Sequence, residues 1–314
     1  MIEGQEGVSW ADWVALAQAC ERLGFEALFR SDHYLSVDGR GHRGSLDAWA
    51  TVCALSAVTG HLRLGTLVSP ATFRHPSNLA KLVVSADHIS GGRVELGLGT
   101  GWLEAEHSAY GFPFPPLRER MAILSEQLEI VHRQWTEHTF DFSGAHYRIE
   151  SLDARPKPVQ RPHPPLILGG SAGPRSAGLA ARWADEYNTI YVTPEDARAR
   201  RRALDEACEH EGRDPRTLGF SMMNGFLIGA DDDELRARAR RLAQWRGEPD
   251  PGDDADGYLG GLEPWIVGTP DAFCARLREY EAAGIERVML QHHLVEDFDA
   301  LELIGRAVIP ALAT

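Results

Sequence analysis

Cysteine is scarce in this chain. Its 314 residues include four, Cys20, Cys53, Cys208 and Cys274. They make no C-x-x-C pair and have no histidine at zinc spacing, so neither a disulfide framework nor a zinc site organises the fold. They read as reduced thiols of a cytosolic protein. No apolar run reaches the roughly 18 residues a membrane span needs. The opening MIEGQEGVSWADW has neither a basic nor an apolar region of the secretory kind, so the expected compartment is the cytoplasm. Basic residues are in deficit, with 32 Lys and Arg against 46 Asp and Glu, a formal net charge of −14 at pH 7. Such a chain lacks the basic face that nucleic acid or an anionic lipid surface requires. The expected partner is therefore a small molecule. Low-complexity tracts and internal repeats are absent too.

What is present is ordinary globular composition, 43% hydrophobic and 25% charged, enough to bury a large core. Short apolar runs at 25–30, 62–68, 93–98, 166–169, 186–192, 218–229 and 287–291 read as strands. Between them lie segments of helical periodicity at 9–23, 46–58, 78–89, 117–135, 176–183, 194–211 and 231–245, another beginning at Thr269, and one at 301–312. Ser9 followed by Asp12 makes a variant capping box, with Trp13, Leu16, Ala17 and Cys20 on one face. A hairpin is expected around Phe140 and Tyr147, with its turn at Ser143-Gly144. The insertions fall at about 138–165 and 246–268.

Seven βα units, with a possible strand before Ser9, predict a parallel sheet with right-handed crossovers. Eight units fit one closed (β/α)8 TIM barrel over residues 1–314; an open doubly wound sheet usually has fewer strands at this length. The first strand is the weak point. Only Met1 to Gly7 precede the first helix, and Ile2 alone is strongly apolar there, so that strand is expected to be short.

In such a barrel the chemistry sits at the carboxyl ends of the strands. The residues there are Glu3 and Gln5; Arg30, Asp32 and His33; Ser69 and Thr72; Gly99, Thr100, Gly101 and Trp102; Gly170, Ser171, Ala172 and Gly173; Tyr191; Asn224; and Gln291, His292 and His293. Glycine clusters beside histidines and a tryptophan suit a planar, phosphate-bearing cofactor better than a bare hydrolytic site. The Gly169–Gly173 run joins a strand directly to a helix start, where backbone N–H groups and the dipole favour an anion. A tight βα turn is the plainer reading. Asp32-His33 suits acid–base work or hydrogen bonding, or simple loop capping. Strand alternation sends one ring of His292-His293 inward. A metal-dependent hydrolase built on His33, His292 and His293 is a rival reading. It lacks an acidic partner at a recognisable spacing, and no metal is expected.

Several stretches together resemble the bacterial luciferase-like superfamily, specifically its flavin- or coenzyme F420-dependent oxidoreductases. They are LGFEALFRSDH at 23–33, LGTLVSPATFRHP at 64–76, DHISGGR at 87–93, and the segment from Gly97 through Gly111 and Pro113 to Arg120, with the glycine turn inside 164–185. The resemblance implies a TIM barrel binding F420 or, alternatively, FMN, and usually a homodimer. It implies a non-prolyl cis peptide near Leu67–Val68 behind the cofactor ring, with Thr72 in the adjoining loop. Gly99, Thr100 and Gly101, with Gly170, Ser171, Ala172 and Gly173, match backbone lining ring and phosphate, and Trp102 is a candidate wall. Asp32 and His33 match positions that contact ring or substrate, with His33 as proton donor or orienter.

One departure matters. The F420-dependent sugar-phosphate dehydrogenases carry an acidic glutamate where this chain has Trp102. Glu104 and Glu106 lie close by, with one or both expected to turn into their helix. Gln291, His292, His293 and the 247–261 loop, a candidate lid, are expected to shape the substrate end. The implied activity is F420-dependent hydride transfer to or from a small organic substrate. The alternative is a reduced-FMN-dependent monooxygenase of the same fold.

Overall fold

The computed structural model describes residues 1–37, 39 and 43–313. The strands are β1 (Ala27–Arg30), β2 (Arg63–Pro70), β3 (Val94–Gly99), β4 (Phe140–Ser143), β5 (Arg148–Leu152), β6 (Leu166–Gly169), β7 (Glu186–Ile190), β8 (Gly219–Ile228), β9 (Ile266–Gly268) and β10 (Arg287–Gln291). Seven run parallel in the order β1-β2-β3-β6-β7-β8-β10, β9 extends the carboxyl end of β8, and β4-β5 is a separate hairpin.

The ring is closed by the first two residues. The Ile2 amide donates to the Phe29 carbonyl at 3.0 Å, and the Ser31 amide donates to the Ile2 carbonyl at 3.1 Å. On the other side the Met1 ammonium donates to the Leu290 carbonyl at 2.9 Å, and the His292 amide donates to the Met1 carbonyl at 3.0 Å. The eighth stave is thus two residues long, as short as the sequence led one to expect. It joins β1 to β10 only near their carboxyl ends. Toward their amino ends a groove of about 1020 Å³ opens beside Phe25, Val288, Leu290 and Ile304.

The interior is layered. At the amino end the buried Glu95 accepts from Arg287 at 2.8 Å and also pairs with Arg63, while Arg287 reaches Glu186 at 3.2 Å. Above this charged plug lies an apolar layer of Met1, Phe29, Leu67, Ile167, Met223 and Met289. Around the sheet, helices bury one face each. Trp10–Arg22 is typical: Ser9 and Asp12 cap it reciprocally, and Trp13, Leu16, Ala17 and Cys20 turn inward together. Among the described residues no helix is long and apolar enough to cross a membrane.

The structure adds short elements to those expected. Helix Glu104–Tyr110 spans seven residues with no side-chain cap, too short for periodicity to register. Strand β9 is three residues between Pro264 and Thr269. The last helix begins at Phe298 and carries a π turn over Ile304–Val308. The 247–261 stretch holds a helical turn and the short helix Ala255–Gly260, with Tyr258 and Leu259 packed against the cluster of Leu242, Leu262 and Trp265.

Close approach inside the wall depends on Gly97. A Cβ there would overlap the Thr66 carbonyl oxygen and lie 3.0 Å from Val68. Gly97→Ala is expected to cost about 3 kcal/mol, the upper range for overpacking, read as a lowered urea midpoint. Gly178→Ala, where a Cβ meets nothing within 4 Å inside a helix, is the control and should gain about 0.5–1 kcal/mol.

Candidate active site

Beyond Arg30 the chain leaves the barrel through Ser31, Asp32 and His33. His33 Nδ1 lies 2.8 Å from Glu106 Oε2. A carboxylate only accepts, so Nδ1 carries a proton and Nε2 is the position that changes protonation state. Glu106 is fully buried and also accepts from the Tyr34 and Leu35 amides. Burial opposes charge on His33, yet the hydrogen bond to Glu106 and its negative charge outweigh it and hold the imidazole above its ordinary value. Burial likewise opposes charge on Glu106, and His33 with the two amides holds it below the ordinary carboxylate range. Trp102 is 60% exposed and meets the His33 ring edge-on at 5.7 Å. Glu104 faces solvent while Glu106 turns inward onto His33. Of the two acids expected to turn away singly or together, Glu104 does and Glu106 does not. Its only sequence signal was proximity to Trp102.

Asp32 is 1% exposed and both its oxygens are taken. Ser69 Oγ donates at 2.6 Å, and Arg74 donates at 2.5 and 3.2 Å. Arg74 also holds Asp47 at 2.8 Å, and Trp49 donates to Ser69 at 3.0 Å. The structure therefore places Asp32 as the anchor of the loop bearing His33, tied to β2, with neither oxygen left for acid–base work.

At the end of β2 the Leu67–Val68 peptide is cis, where the register with β3 shifts between Thr66 and Ser69. Val68 sits in a notch made by absent side chains. A Cβ on Gly97, Gly99 or Gly169 would come within 3.0, 2.7 or 3.2 Å of it. Past β3, Gly101 has φ +74°, and a Cβ there would crowd Thr72 at 3.0 Å and Pro70 at 3.2 Å. Thr72 donates to His107 Nε2 at 2.6 Å, because His107 Nδ1 is spent on the Leu103 carbonyl at 2.8 Å. Thr100 Oγ donates to the neighbouring Gly101 carbonyl at 3.3 Å.

In the Gly170–Gly173 turn the Gly170 amide donates to Asn188 at 3.0 Å and the Ala172 amide to Tyr187 Oη at 2.7 Å. Ala172 adopts φ +55°. Helix Pro174–Trp183 starts on Gly173 with no side-chain cap, so among the described residues the N–H groups of Ser171, Arg175 and Ser176 have no hydrogen-bond partner.

On the opposite rim a chain of hydrogen bonds crosses the first stave. Tyr191 Oη donates to Gln291, Gln291 Nε2 to Glu3 at 2.6 Å, Gln5 Nε2 to Glu3 at 2.7 Å, and Ser31 Oγ to Gln5 at 2.5 Å. The paired histidines part company, as strand alternation requires. His292 stacks on Phe226 at 5.4 Å and shares a small internal space with Leu301 and Ile304, where burial holds it down at about 4. The substrate contact expected of His292 is thus replaced by a place behind the barrel wall. His293 lies against Trp265 and Trp245, beside a separate cavity. Among the described residues no three His, Cys, Asp or Glu side chains converge on a metal position.

A family model described as luciferase-like monooxygenase matches residues 2–287. The F420-dependent hydroxymycolic acid dehydrogenase of Mycobacterium tuberculosis is 34% identical over 74% of this chain and 62% of its own length. The F420-dependent glucose-6-phosphate dehydrogenase of Nakamurella multipartita is 34% identical over 95% of this chain and 91% of its own length. The FMNH2-dependent dimethylsulfone monooxygenase of Pseudomonas putida is 28% identical over 94% and 86%. These relatives are oxidoreductases that divide between two cofactors. With its eight-stave barrel and the motifs gathered at its carboxyl rim, the chain belongs to the luciferase-like monooxygenase family.

Proposed function

We propose that this chain is a coenzyme F420-dependent oxidoreductase, acting on a small organic substrate at the carboxyl rim of the barrel. The observation that carries the reading is His33. It is fixed through Nδ1 by the buried Glu106, walled by Trp102, and left with Nε2 to hold or release a proton. The residues fit a flat redox cofactor. The glycine notch around Val68 leaves a surface without projecting side chains, and the uncapped start of Pro174–Trp183 suits a phosphate. When bound, the deazaflavin supplies a hydride donor or acceptor; position and proton control are the protein's part.

In that arrangement Gly97, Gly99 and Gly169 let Val68 back the ring, and Gly170 to Gly173 face the tail. His33 Nε2 donates a proton to substrate oxygen in the reducing direction and accepts one in the oxidising direction. Asp32, through Arg74 and Ser69, keeps the His33 loop in register with β2. The two F420-dependent relatives support this choice of cofactor. The Pseudomonas putida relative supports FMN as the second reading.

Titration of the protein with F420 and with FMN, followed by turnover assays with and without oxygen, tests the choice. F420 is expected to bind at least about tenfold more tightly and to be turned over without oxygen. Tighter FMN binding with oxygen-dependent turnover would replace this reading with the monooxygenase. We also propose the homodimer that the resemblance implies; a monomer-sized particle in light scattering contradicts it.

A further inference from the structure

The first stave ends in a carboxylate that stands outside the His33–Glu106 pair. Glu3 follows Ile2 at the tip of the stave, and each of its oxygens accepts from one amide. Gln291 Nε2 at the end of β10 donates at 2.6 Å, and Gln5 Nε2 donates at 2.7 Å. A carboxylate only accepts, so both amides turn their NH2 groups to Glu3 and their carbonyls away. Those carbonyls find donors in the Ser31 hydroxyl for Gln5 and the Tyr191 hydroxyl for Gln291. Both arms of the network therefore run toward Glu3 and end on it. Holding β1 to β10 needs no charge at this point. With a glutamine at position 3, one of the two flanking amides turns over and every member stays bonded.

The members differ in what they show to the mouth. Gln5, Ser31 and Gln291 are buried, whereas Glu3 is half-buried and Tyr191 is 38% exposed. Tyr191 stands at φ +46°, a left-handed backbone that is uncommon for an aromatic residue and clusters at active sites and ligand clamps. A carboxylate offers about four acceptor directions and the amides fill two, so Glu3 has acceptor capacity left. Position decides what that capacity meets. Around the barrel the order is first stave, β1, β2, β3, β6, β7, β8, β10, so β6 lies four places from the first stave in either direction. The Gly170–Gly173 turn after β6 and Glu3 thus face each other across the mouth, while the loop after β1 that bears His33 is the neighbour of Glu3. Against the burial that opposes its charge, His33 is held up first by Glu106 and next by the charge of Glu3, in keeping with that adjacency.

We propose that Glu3 is a substrate-recognition residue of the rim, and that it accepts a hydrogen bond from a hydroxyl or amine of the substrate, at a second point away from the oxygen that His33 Nε2 serves. The proposal rests on reading the rim as an oxidoreductase site. It narrows the small organic substrate to a hydroxy or amino compound, one that carries a hydrogen-bond donor besides its reacting group. The carboxylate is fixed by two oriented amides before the substrate arrives, so little ordering is left to be done on binding. A hydrogen bond to a charged acceptor is roughly twice as strong as a neutral one, enough for a single contact to select. An ether or ketone oxygen set against Glu3 meets acceptor with acceptor and displaces water from the carboxylate without replacing its bond.

The test uses ring ketones of one frame, titrated calorimetrically into the protein with and without F420. 4-Hydroxycyclohexanone and 4-aminocyclohexanone carry a donor, 4-methoxycyclohexanone carries only an acceptor at the same place, and 4-methylcyclohexanone carries neither. At least one donor probe is expected to bind at least about tenfold more tightly than the methoxy and methyl probes, the value of one hydrogen bond to a charged group. The tighter of the two donor probes tells whether the substrate class is an alcohol or an amine. Glu3→Gln should shrink the preference to about twofold while leaving F420 affinity within about twofold. In the wild-type protein, the carboxyl signal of 13C-labelled Glu3 should shift with the donor probe and stay put with the methyl probe, a readout that survives if the variant fails to fold. Equal binding of the four probes, binding by none of them, preference for the methoxy probe, or a Glu3 signal that ignores the donors overturns the proposal. A preference that persists in Glu3→Gln also overturns it, by leaving the residue as a staple of the first stave alone. Loss of F420 affinity in that variant does the same, by moving Glu3 into the cofactor site. Failure of F420 to bind wild type, with the donor preference intact, counts against the cofactor reading alone.

Discussion

His33→Ala is expected to lower kcat/KM by about 10²–10⁴-fold while cofactor affinity stays within about twofold. That range is what a positioned general acid or base contributes. The effect should fall on kcat, because Nε2 is the atom that changes protonation state while Nδ1 is committed to Glu106. Loss of the Trp102 edge contact adds little, since that indole is largely exposed. The pH dependence assigned to His33 should vanish in the variant. Steady-state kinetics beside a cofactor titration read both quantities. Unchanged turnover in His33→Ala removes the residue from the chemistry.

The second large effect is expected at Glu106. Glu106→Gln preserves shape but sets an uncharged amide against His33 and two backbone N–H groups. Without that negative charge the His33 pKa falls, so the limb of the pH–rate profile that requires protonated His33 should move to lower pH. Stability follows the same pair. His33 is raised above its ordinary 6.5, so its contribution is complete below that value and fades as pH climbs through the folded pKa. Glu106 is lowered from 4.5, so its contribution is complete above that value and is lost as pH drops through the folded pKa. The two overlap fully between those ordinary values. There Glu106→Gln should cost about 3 kcal/mol, shrinking in alkaline solution; denaturant melts at several pH values read the difference. Glu106→Asp, which keeps the charge on a shorter arm, should recover part of the pH profile. A limb that does not move in Glu106→Gln denies it the role of setting His33.

The barrel was legible because its βα units announce themselves. β6 and β10 fall on the expected residues, and the Ser9–Asp12 box opens its helix as read. The cis Leu67–Val68 peptide and the β4-β5 hairpin also lie where the motifs put them. What stayed hidden has physical reasons. Helix Glu104–Tyr110 is two turns without a cap, so nothing in the sequence distinguished the inward Glu106 from the outward Glu104. Asp32 read as a catalytic candidate because its partners, Ser69 in β2 and Arg74 just after it, are distant from it in the sequence. His292 and His293 looked alike, and only the register of β10 decides which one packs behind the wall. The column of Trp245, His293 and Trp265 gathers residues from three separate stretches, a pattern that no local spacing carries.

The central claim concerns position: the redox cofactor lies across the Val68 notch, with its reactive face toward His33. A crystal structure of the complex with F420 measures this directly. The account predicts ring density against Val68 and the glycines at 97, 99 and 169, with substrate space within about 3.5 Å of His33 Nε2, the reach that transfer requires. Ring density elsewhere, such as in the groove beside Phe25 and Ile304, or density at the rim with His33 turned away from it, would contradict it.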